Sequence, residues 1–358
     1  MPRNRRADSK MLGAGVAATL VLALAGLAVF RFANLDDDER GTVSREGSVY
    51  AGIPARVQFV PVPGADTPDV PWRILVDTGA VFNAFDPTSE LGKLNATTGN
   101  TPVDVSDELG DAVGSSIGIS QMTHGAFDIT VRPLKMLWRD AAATGKMPGD
   151  AQIDAAREKV GWGLIDLTRT NRDSWQITRA RPGIELDLGG IVKGWSVDRA
   201  IEHLAARKVE SAIVQVGGEI GLIGPTAAGK PWRIGIRHPL DPTANWTVLN
   251  LTGRAAVSTS GNYEQPVRIG DTDYYHIFDP TTGRPVSTGI LGVTVVVTSG
   301  TAMNTRADGL ATAFAVMGVD KALELAAGME GVHVLFIVRD PASGKPVEKT
   351  SPGFEALR

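Results

Sequence analysis

The longest apolar stretch of the chain lies near its N-terminus, where residues 11–30 carry no charged side chain. About twenty residues at the helical rise cover about 30 Å, which is the thickness of the hydrocarbon core of a bilayer. Four basic residues precede the stretch, and the acidic run 36–39 follows it. Because basic residues favour the cytoplasmic side, the pattern predicts a cytoplasmic leader over 1–10, a transmembrane anchor or cleavable signal over 11–31, and a polar tether over 32–47. A single-pass protein of the inner membrane is expected, with the rest of the chain on the extracytoplasmic, periplasmic side.

Alternating apolar and polar positions after the tether predict mostly strands. Residues 48–60 and 72–78 are expected to pair as a hairpin around the Pro- and Gly-rich loop 61–68. A second strand pair is predicted at 175–180 and 184–188. Further strands are predicted at about 211–216, 219–223, 232–237, 246–251, 254–259, 265–269, 274–278, 290–298, 332–338 and 346–349.

Helical spacing of apolar residues is confined to fewer segments. It predicts helices over 107–122 and 141–160, two helices over 302–328, and an amphipathic helix directly after 187–194. Ser89 is placed to cap another helix. Long runs of strands with segregated helices indicate the α+β class. We therefore predict a single domain over 48–358 that combines antiparallel or mixed sheets with packed helices.

Composition narrows the range of partners and chemistries. The 358-residue chain has a net charge of −4 and no broad basic patch, so nucleic acid is not expected as a partner. It contains no cysteine, which excludes disulfides, thiolate metal sites and thiol nucleophiles.

The segment 302–328 contains a candidate metal site. Asp308 and Thr312 are four residues apart, a spacing that puts both side chains on one helix face. Carboxylate and hydroxyl oxygens are ligands of the kind that Mg²⁺ takes, usually together with substrate phosphates. For this pair alone, a buried structural helix in which the Thr312 hydroxyl bonds a backbone carbonyl is the simpler interpretation.

The segment 187–194, Asp-Leu-Gly-Gly-Ile-Val-Lys-Gly, is a candidate anion site. It joins a predicted strand to a helix, where free backbone N–H groups and the helix dipole attract anions. Lys193 is placed to contact a phosphate or a ribose. A tight connection with a surface lysine is the alternative.

Two other stretches have simpler explanations. His276 and Asp279 end a predicted strand before an Asp-Pro turn, and turn capping is favoured for Asp279 and a structural role for a lone histidine. The stretch 224–230 fits G-x-x-x-x-G-K, but Pro231 follows where a phosphate loop needs Ser or Thr. That stretch is therefore predicted to be a hairpin turn.

Taken together, these stretches resemble the FAD:protein FMN transferase family (ApbE-like). The matching motifs occur in the order PTSELGKLN, THGAFDITVRPL, LDLGGIVKGWSVDRA, VQVGGEI, VSTSGNYE, HIFDPTTGRPV and RADGLATAFAVMG. The resemblance covers roughly residues 48–340. The resemblance implies a Mg²⁺-dependent enzyme that binds FAD, transfers its FMN half to a Ser or Thr hydroxyl of an acceptor protein, and releases AMP. It implies an acceptor from a membrane electron-transfer complex that carries a short Ser/Thr flavinylation motif. An FAD pyrophosphatase and a non-catalytic periplasmic flavin-binding protein are the alternatives.

The resemblance also implies roles for individual residues by position. Asp308 and Thr312 match the metal ligands, with the backbone carbonyl of Gly190 as a third, and His276 matches the candidate general base. Contacts to the flavin nucleotide are implied for seven further residues: Phe85, Ala126, Phe127, Asp128, Asp187, Lys193 and Phe278. The chain departs from the family at 51–53, where Met-Gly-Thr is usual, and at Gly309, where Ala is usual.

Overall fold

The computed structural model describes residues 41–50, 52–63, 67–261, 267–269 and 272–358. The predicted leader and the predicted anchor or signal lie outside the described residues. Within the described part of the chain, no helix is long and apolar enough to cross a membrane.

Strands and helices both contribute to the described residues, as expected for the α+β class. In chain order the strands are β1 (Val43–Val49), β2 (Ile53–Phe59), β3 (Val103–Ser106), β4 (Ile165–Asn171), β5 (Ser174–Arg179), β6 (Ala212–Val216), β7 (Glu219–Ile223), β8 (Trp232–His238), β9 (Asp241–Leu251), β10 (Ala255–Gly261), β11 (Val267–Ile269), β12 (Thr272–Tyr274), β13 (Phe278–Asp279), β14 (Arg284–Pro285), β15 (Ile290–Val297), β16 (Val332–Arg339) and β17 (Pro346–Thr350). The helices are α1 (Asp69–Phe82), α2 (Glu90–Ala96), α3 (Asp107–Met122), α4 (Arg132–Thr144), α5 (Asp150–Arg157), α6 (Val192–Ala206), α7 (Met303–Met317) and α8 (Val319–Ala327).

The central element is an eight-stranded sheet in the order β1-β2-β6-β7-β10-β15-β16-β17, with antiparallel neighbours throughout. Its middle strands are apolar on both faces. In β6, Val214 packs into the core on one side, and the adjacent Ile213 packs into the core on the other. Because successive side chains along a strand point to opposite faces, both faces of the sheet must be covered by other elements.

Helices cover one face of the sheet, and a hairpin covers the other. Helices α1 and α6 pack on β1, β2 and β6, and helices α7 and α8 pack on β15 and β16. The β8–β9 hairpin and Phe354 close the opposite face. Helices α6 and α7 thus lie side by side on the sheet, which brings the segment 187–194 to the helix that carries Asp308.

A smaller layer packs beside this sheet. The strands β3, β5 and β4 form a three-stranded sheet, and its core includes side chains of α2, α3 and the start of α6. Ser89 caps α2 by accepting the N–H of Gly92 at 2.8 Å, as predicted, and Ser106 caps α3 in the same way. The predicted helices over 107–122, after 187–194 and within 302–328 are confirmed.

Several predictions of local structure were wrong. The predicted strand 48–60 is divided between β1 and β2, which pair with each other, and the predicted strand 274–278 is interrupted at 275–277 between β12 and β13. Residues 72–78 lie in helix α1, because Trp72, Leu75 and Phe82 recur at helical spacing and bury one face. The segment 141–160 is interrupted, since α4 ends at Gly145 in the left-handed conformation (φ 68°) before α5 begins.

The predicted strand 184–188 is also wrong, because these residues form no strand and do not pair with β5. The side-chain amide of Asn95 exchanges two hydrogen bonds with the backbone of Leu186, and Asp187 N donates to Ile129 O at 2.7 Å. At the start of the domain, β1 begins at Val43, so residues 43–47 of the predicted tether form an edge strand.

Candidate active site

A cavity of about 290 Å³ opens where the starts of α6 and β13 approach α7. Every residue that the sequence predicted for the site lines this cavity, with the exception of Phe85. These lining residues are Ala126, Phe127, Asp128, Asp187, Gly190, Lys193, His276, Phe278, Asp308 and Thr312.

The first turn of α6 contacts Asp308 directly. The Gly194 N–H, one of the free donors at the start of α6, donates to Asp308 Oδ2 at 3.0 Å. Lys193 Nζ lies 3.3 Å from Asp308 Oδ1. This close approach requires glycine at 194, because a Cβ there would lie 2.3 Å from the carbonyl oxygen of Asn304 on α7.

Asp308 is buried, with a side chain only 2% exposed, and opposing effects act on the pKa of its carboxyl. Burial raises its pKa, while Lys193, the Gly194 N–H and a hydrogen bond with Glu219 act to lower it, and the net pKa is above the ordinary value. A nearby cation would favour the ionised form, which is the form that ligates metals.

The start of α7 is fixed from α6. Both oxygens of Asp198 accept two hydrogen bonds each, from the backbone and side chains of Asn304 and Thr305, at 2.7–3.0 Å. Through these hydrogen bonds Asp198, which is 4% exposed, caps the start of α7 from the neighbouring helix α6. The position of Asp308 relative to Lys193 is set by this connection.

Thr312 and Gly190 lie on the same side of the cavity. The Thr312 hydroxyl donates to the Asp308 carbonyl at 3.2 Å, the local bond of the structural interpretation, and its oxygen still has acceptor capacity. A Cβ at Gly190 would lie 3.5 Å from that oxygen and 2.9 Å from the Phe127 ring, so the backbone of Gly190 faces Thr312 without a side chain between them.

These oxygen atoms fit a hard divalent cation that also takes ligands from a bound phosphate. Within the described residues, no group of three or more His, Cys, Asp or Glu side chains is placed to hold a metal. A cation beside Asp308 would therefore depend on hydroxyl, backbone and substrate oxygens.

The carboxylate of Asp187 lines the cavity and forms an ion pair with Lys135. Its carboxylate accepts Lys135 Nζ at 2.7 Å and the Gly189 N–H at 2.8 Å. Burial acts to raise the pKa of Asp187, but Lys135 and the Gly189 N–H outweigh it, and the net pKa is lowered. Asp187 is therefore ionised near neutral pH.

Asp128 is engaged within its own loop. One oxygen accepts the N–H and hydroxyl of Thr130, and the other accepts the Trp162 N–H at 2.8 Å. Burial raises its pKa despite these bonds. The carboxyl holds the loop that places Ala126 and Phe127 on the cavity wall.

His276 lies in the cavity wall between β12 and β13. Its Nδ1 is buried and makes no hydrogen bond with the residues that the structure describes. Burial lowers the pKa of His276 to about 4, and the positive charges of Lys193 and Lys135 act in the same direction. The imidazole is therefore neutral at physiological pH, with a nitrogen available to accept a proton.

Phe85 lies outside the cavity lining but next to it. It is 48% exposed, and its ring centroid is 4.8 Å from the Arg132 guanidinium, 5.5 Å from Lys135 Nζ and 5.2 Å from the Arg139 guanidinium. Lys135 also lines the cavity, so this cationic cluster continues the cavity wall to the surface.

Three site residues were missed by the sequence reasoning. Lys135 directly follows the motif THGAFDITVRPL and Glu219 lies within VQVGGEI, so their position at or in the matching motifs was the available signal. Tyr50 had no such signal. It adopts a left-handed conformation (φ 49°), which few non-glycine residues do, and its ring lines the cavity with a buried hydroxyl.

The two stretches with simpler explanations behave as turns. Asp279 accepts the Thr281 N–H at 2.8 Å and the Thr282 hydroxyl at 3.1 Å, which confirms turn capping. Residues 224–230 form a turn between β7 and β8, and no helix follows, as predicted. The predicted hairpin is wrong, because β7 and β8 belong to different sheets and do not pair.

The sequence of the chain is similar to a known protein family and to curated members of it. Residues 63–336 match the model of the ApbE family. An FAD:protein FMN transferase of Vibrio cholerae is 32% identical over 269 residues, which are 75% of this chain and 78% of that protein. One of Haemophilus influenzae is 32% identical over 289 residues, 79% of this chain and 81% of that protein.

Solved structures give the same result for the fold. The flavin transferase ApbE from Vibrio cholerae superposes with a TM-score of 0.73 at 30% identity, over 88% of this chain and 99% of that one. The apo form of the Pseudomonas stutzeri flavinyl transferase ApbE gives a TM-score of 0.74 at 27% identity, over 88% and 96%. The matched region contains the cavity and nearly all of the elements that form it, and the chain therefore belongs to the ApbE family.

Proposed function

We propose that the protein is a Mg²⁺-dependent FAD:protein FMN transferase. It moves FMN from FAD to a Ser or Thr hydroxyl of an acceptor protein and releases AMP. The observation that supports this most is the meeting of three groups at one cavity: the anion-attracting start of α6 with Lys193, the oxygens of Asp308 and Thr312, and the neutral His276. The names of the relatives from Vibrio cholerae and Haemophilus influenzae support the same activity.

The metal site would consist of Asp308, Thr312 and the Gly190 carbonyl. A divalent cation bound there would offset the negative charge that develops on the diphosphate of FAD. The remaining work belongs to the residues of the chain. Lys193 and the free N–H groups of α6 hold the diphosphate, and the 125–131 loop shapes the wall beside the flavin half.

Transfer exchanges one phosphorus–oxygen bond for another. The acceptor hydroxyl oxygen attacks the phosphorus of the FMN half, the bond from that phosphorus to the bridging oxygen breaks, and AMP leaves with that oxygen. His276 accepts the proton of the attacking hydroxyl. Its low pKa in the free protein makes it a weak base, and the negative charge of bound FAD is expected to raise this pKa because it offsets Lys193 and Lys135.

The test uses the full-length protein with FAD, Mg²⁺ and a purified candidate acceptor domain. Mass spectrometry should show AMP together with an acceptor heavier by one FMN. Asp308→Asn should form both products more slowly, by about 10²-fold or more, while Asp140→Ala, which removes an exposed carboxylate of α4 outside the cavity lining, should behave as wild type. AMP with free FMN and no adduct would instead identify an FAD pyrophosphatase.

We further propose that the acceptor is a subunit of a membrane electron-transfer complex with a Ser/Thr flavinylation motif, and that residues 11–31 hold the enzyme at the inner membrane with its domain in the periplasm. The charge distribution around residues 11–30 supports this orientation. Protease added to cells with a permeabilised outer layer should digest or release the domain. Protection until the inner membrane is lysed would contradict the orientation.

A further inference from the structure

Lys193 contacts two buried acidic side chains, Asp308 and Glu219, which also contact each other. Its Nζ is 3.3 Å from Asp308 Oδ1 and 3.3 Å from Glu219 Oε1. Both acidic side chains are 2% exposed, and that of Lys193 is 22% exposed. Two carboxylates this close repel each other at low dielectric, so the ammonium stabilises both of them.

Glu219 and Asp308 are not equivalent positions around this ammonium. Asp308 and Lys193 line the cavity, whereas Glu219 is not among the lining residues. Glu219 begins β7, and its Oε1 also accepts the hydroxyl of Ser258 from the neighbouring strand β10 at 3.3 Å. It is thus held by the sheet, next to Asp308 but outside the cavity lining.

A cation that binds Asp308 has to compete with the Lys193 ammonium for the same oxygen. The competition is weaker if the ammonium keeps a second buried anion when it leaves Asp308. Glu219 supplies that anion at the same distance, so Lys193 keeps a buried carboxylate partner when it gives up Asp308.

We propose that Glu219 is a positioning residue for Lys193. It holds the ammonium in place when a divalent cation takes Asp308, and so keeps Lys193 beside the cation and the diphosphate. This inference rests on the proposed function, because it assigns the divalent cation to Asp308.

The test measures Mn²⁺ binding by electron paramagnetic resonance in the full-length protein, purified in mild detergent, without FAD or acceptor. In Glu219→Gln, Lys193 loses its second carboxylate partner and competes more strongly for Asp308, so Mn²⁺ should bind about tenfold more weakly. Lys193→Met removes the competitor and should bind Mn²⁺ more tightly than wild type. Ser258→Ala is the matched control, since it removes the hydroxyl but leaves both charges, and its affinity should stay within about twofold.

The double variant Glu219→Gln/Lys193→Met separates positioning from simple charge loss. If Glu219 acts through Lys193, adding Glu219→Gln to Lys193→Met should change the affinity by less than about twofold. An equal tenfold loss in both backgrounds would show that Glu219 merely adds negative charge near the metal, and would overturn the proposal. If thermal unfolding shows that Glu219→Gln is not folded, the Lys193→Met variant decides by itself. A Mn²⁺ affinity of Lys193→Met no higher than that of wild type then overturns the proposal.

The outcome is independent of the transferase assay. Wild-type protein that transfers FMN but shows no coupling between residues 219 and 193 refutes the positioning role alone. Coupling in a protein that transfers no FMN supports the positioning role and refutes the proposed activity. Wild-type protein that binds no Mn²⁺ refutes both the positioning role and the metal site.

Discussion

Substituting Gly194 by alanine should separate the two helices that form the site. Gly194 lies in the first turn of α6, where a Cβ would be 2.3 Å from the Asn304 carbonyl oxygen and 2.9 Å from the Asp308 Cβ. An ordinary carbon–oxygen contact is about 3.3 Å, so α6 and α7 have to move apart by about 1 Å. Both obstacles belong to the backbone or lie next to it, and no side-chain rotation relieves them.

The free energy of unfolding should fall by about 2 kcal/mol. Overpacking of this kind costs roughly 1–3 kcal/mol, and the backbone contact favours the upper end, while alanine regains up to about 1 kcal/mol of helix propensity. For a chain of this length, about 2 kcal/mol corresponds to a fall of about 3 °C in melting temperature. The same displacement lengthens the 3.0 Å hydrogen bond from the Gly194 N–H to Asp308, so Mn²⁺ affinity and the rate of FMN transfer should also fall.

Calorimetry and single-turnover transfer measure the two effects in the same preparation. Gly118→Ala is the matched control, because Gly118 lies within α3 and a Cβ there meets nothing within 4 Å. That variant should be more stable by about 0.5–1 kcal/mol and transfer FMN at the wild-type rate. A Gly194→Ala protein with wild-type stability and wild-type rate would refute the close crossing of α6 and α7.

Three further predictions concern charged or titratable groups. Asp308→Asn keeps an oxygen for the Gly194 N–H but removes the charge, so transfer should fall by about 10²-fold or more while FAD still binds, as measured by flavin fluorescence; wild-type turnover with Mg²⁺ would remove Asp308 from the site. His276→Asn should lower the single-turnover rate by about 10²–10⁴-fold with little change in melting temperature, and an unaltered rate would contradict the role as a base. In the FAD-free wild type, NMR should show a neutral imidazole down to about pH 5, because burial lowers its pKa to about 4. Protonation near pH 6.5 would contradict this burial effect. Lys135→Met should lower stability in urea by about 1–2 kcal/mol at pH 7, because the buried Asp187 loses its cation. The pKa of Asp187 is lowered in the folded state, so this stabilisation is present above about pH 4 and is lost at lower pH, and a difference that persists in acid would exclude the ion pair as its source.

The site residues were predictable where the sequence motifs carry them. Asp308 and Thr312 stand four apart, and Lys193 follows a glycine pair at the start of a helix, so both local patterns were readable. The cavity brings them together as expected. Gly309 stands where the family usually has Ala, and only the structure gives the packing reason: a Cβ there would lie 2.6 Å from Ile119 Cδ1 on α3.

The pKa of His276 shows where residue chemistry alone fails. An isolated imidazole has a pKa of about 6.5, but burial with Lys193 and Lys135 nearby lowers it to about 4. Lys135 is far from His276 and from Lys193 in the sequence, so no local pattern indicated its effect on the pKa of His276. The same holds for Glu219, whose meaning depends on an ammonium contributed by another element.

The sequence by itself determined the elements whose signals are local. Serine caps, helical apolar spacing and glycine turns act over a few residues, and they gave α2, α3, α6 and α7 and the α+β class. Short ambiguous segments were decided by tertiary contacts instead. Residues 72–78 became a helix against β1 and β2, and 184–188 were held by Asn95 and Ile129 rather than by a strand. The charge balance around Asp308 was also left to the tertiary structure, because it depends on distances between groups that the chain brings together only when the sheet and its helices have packed.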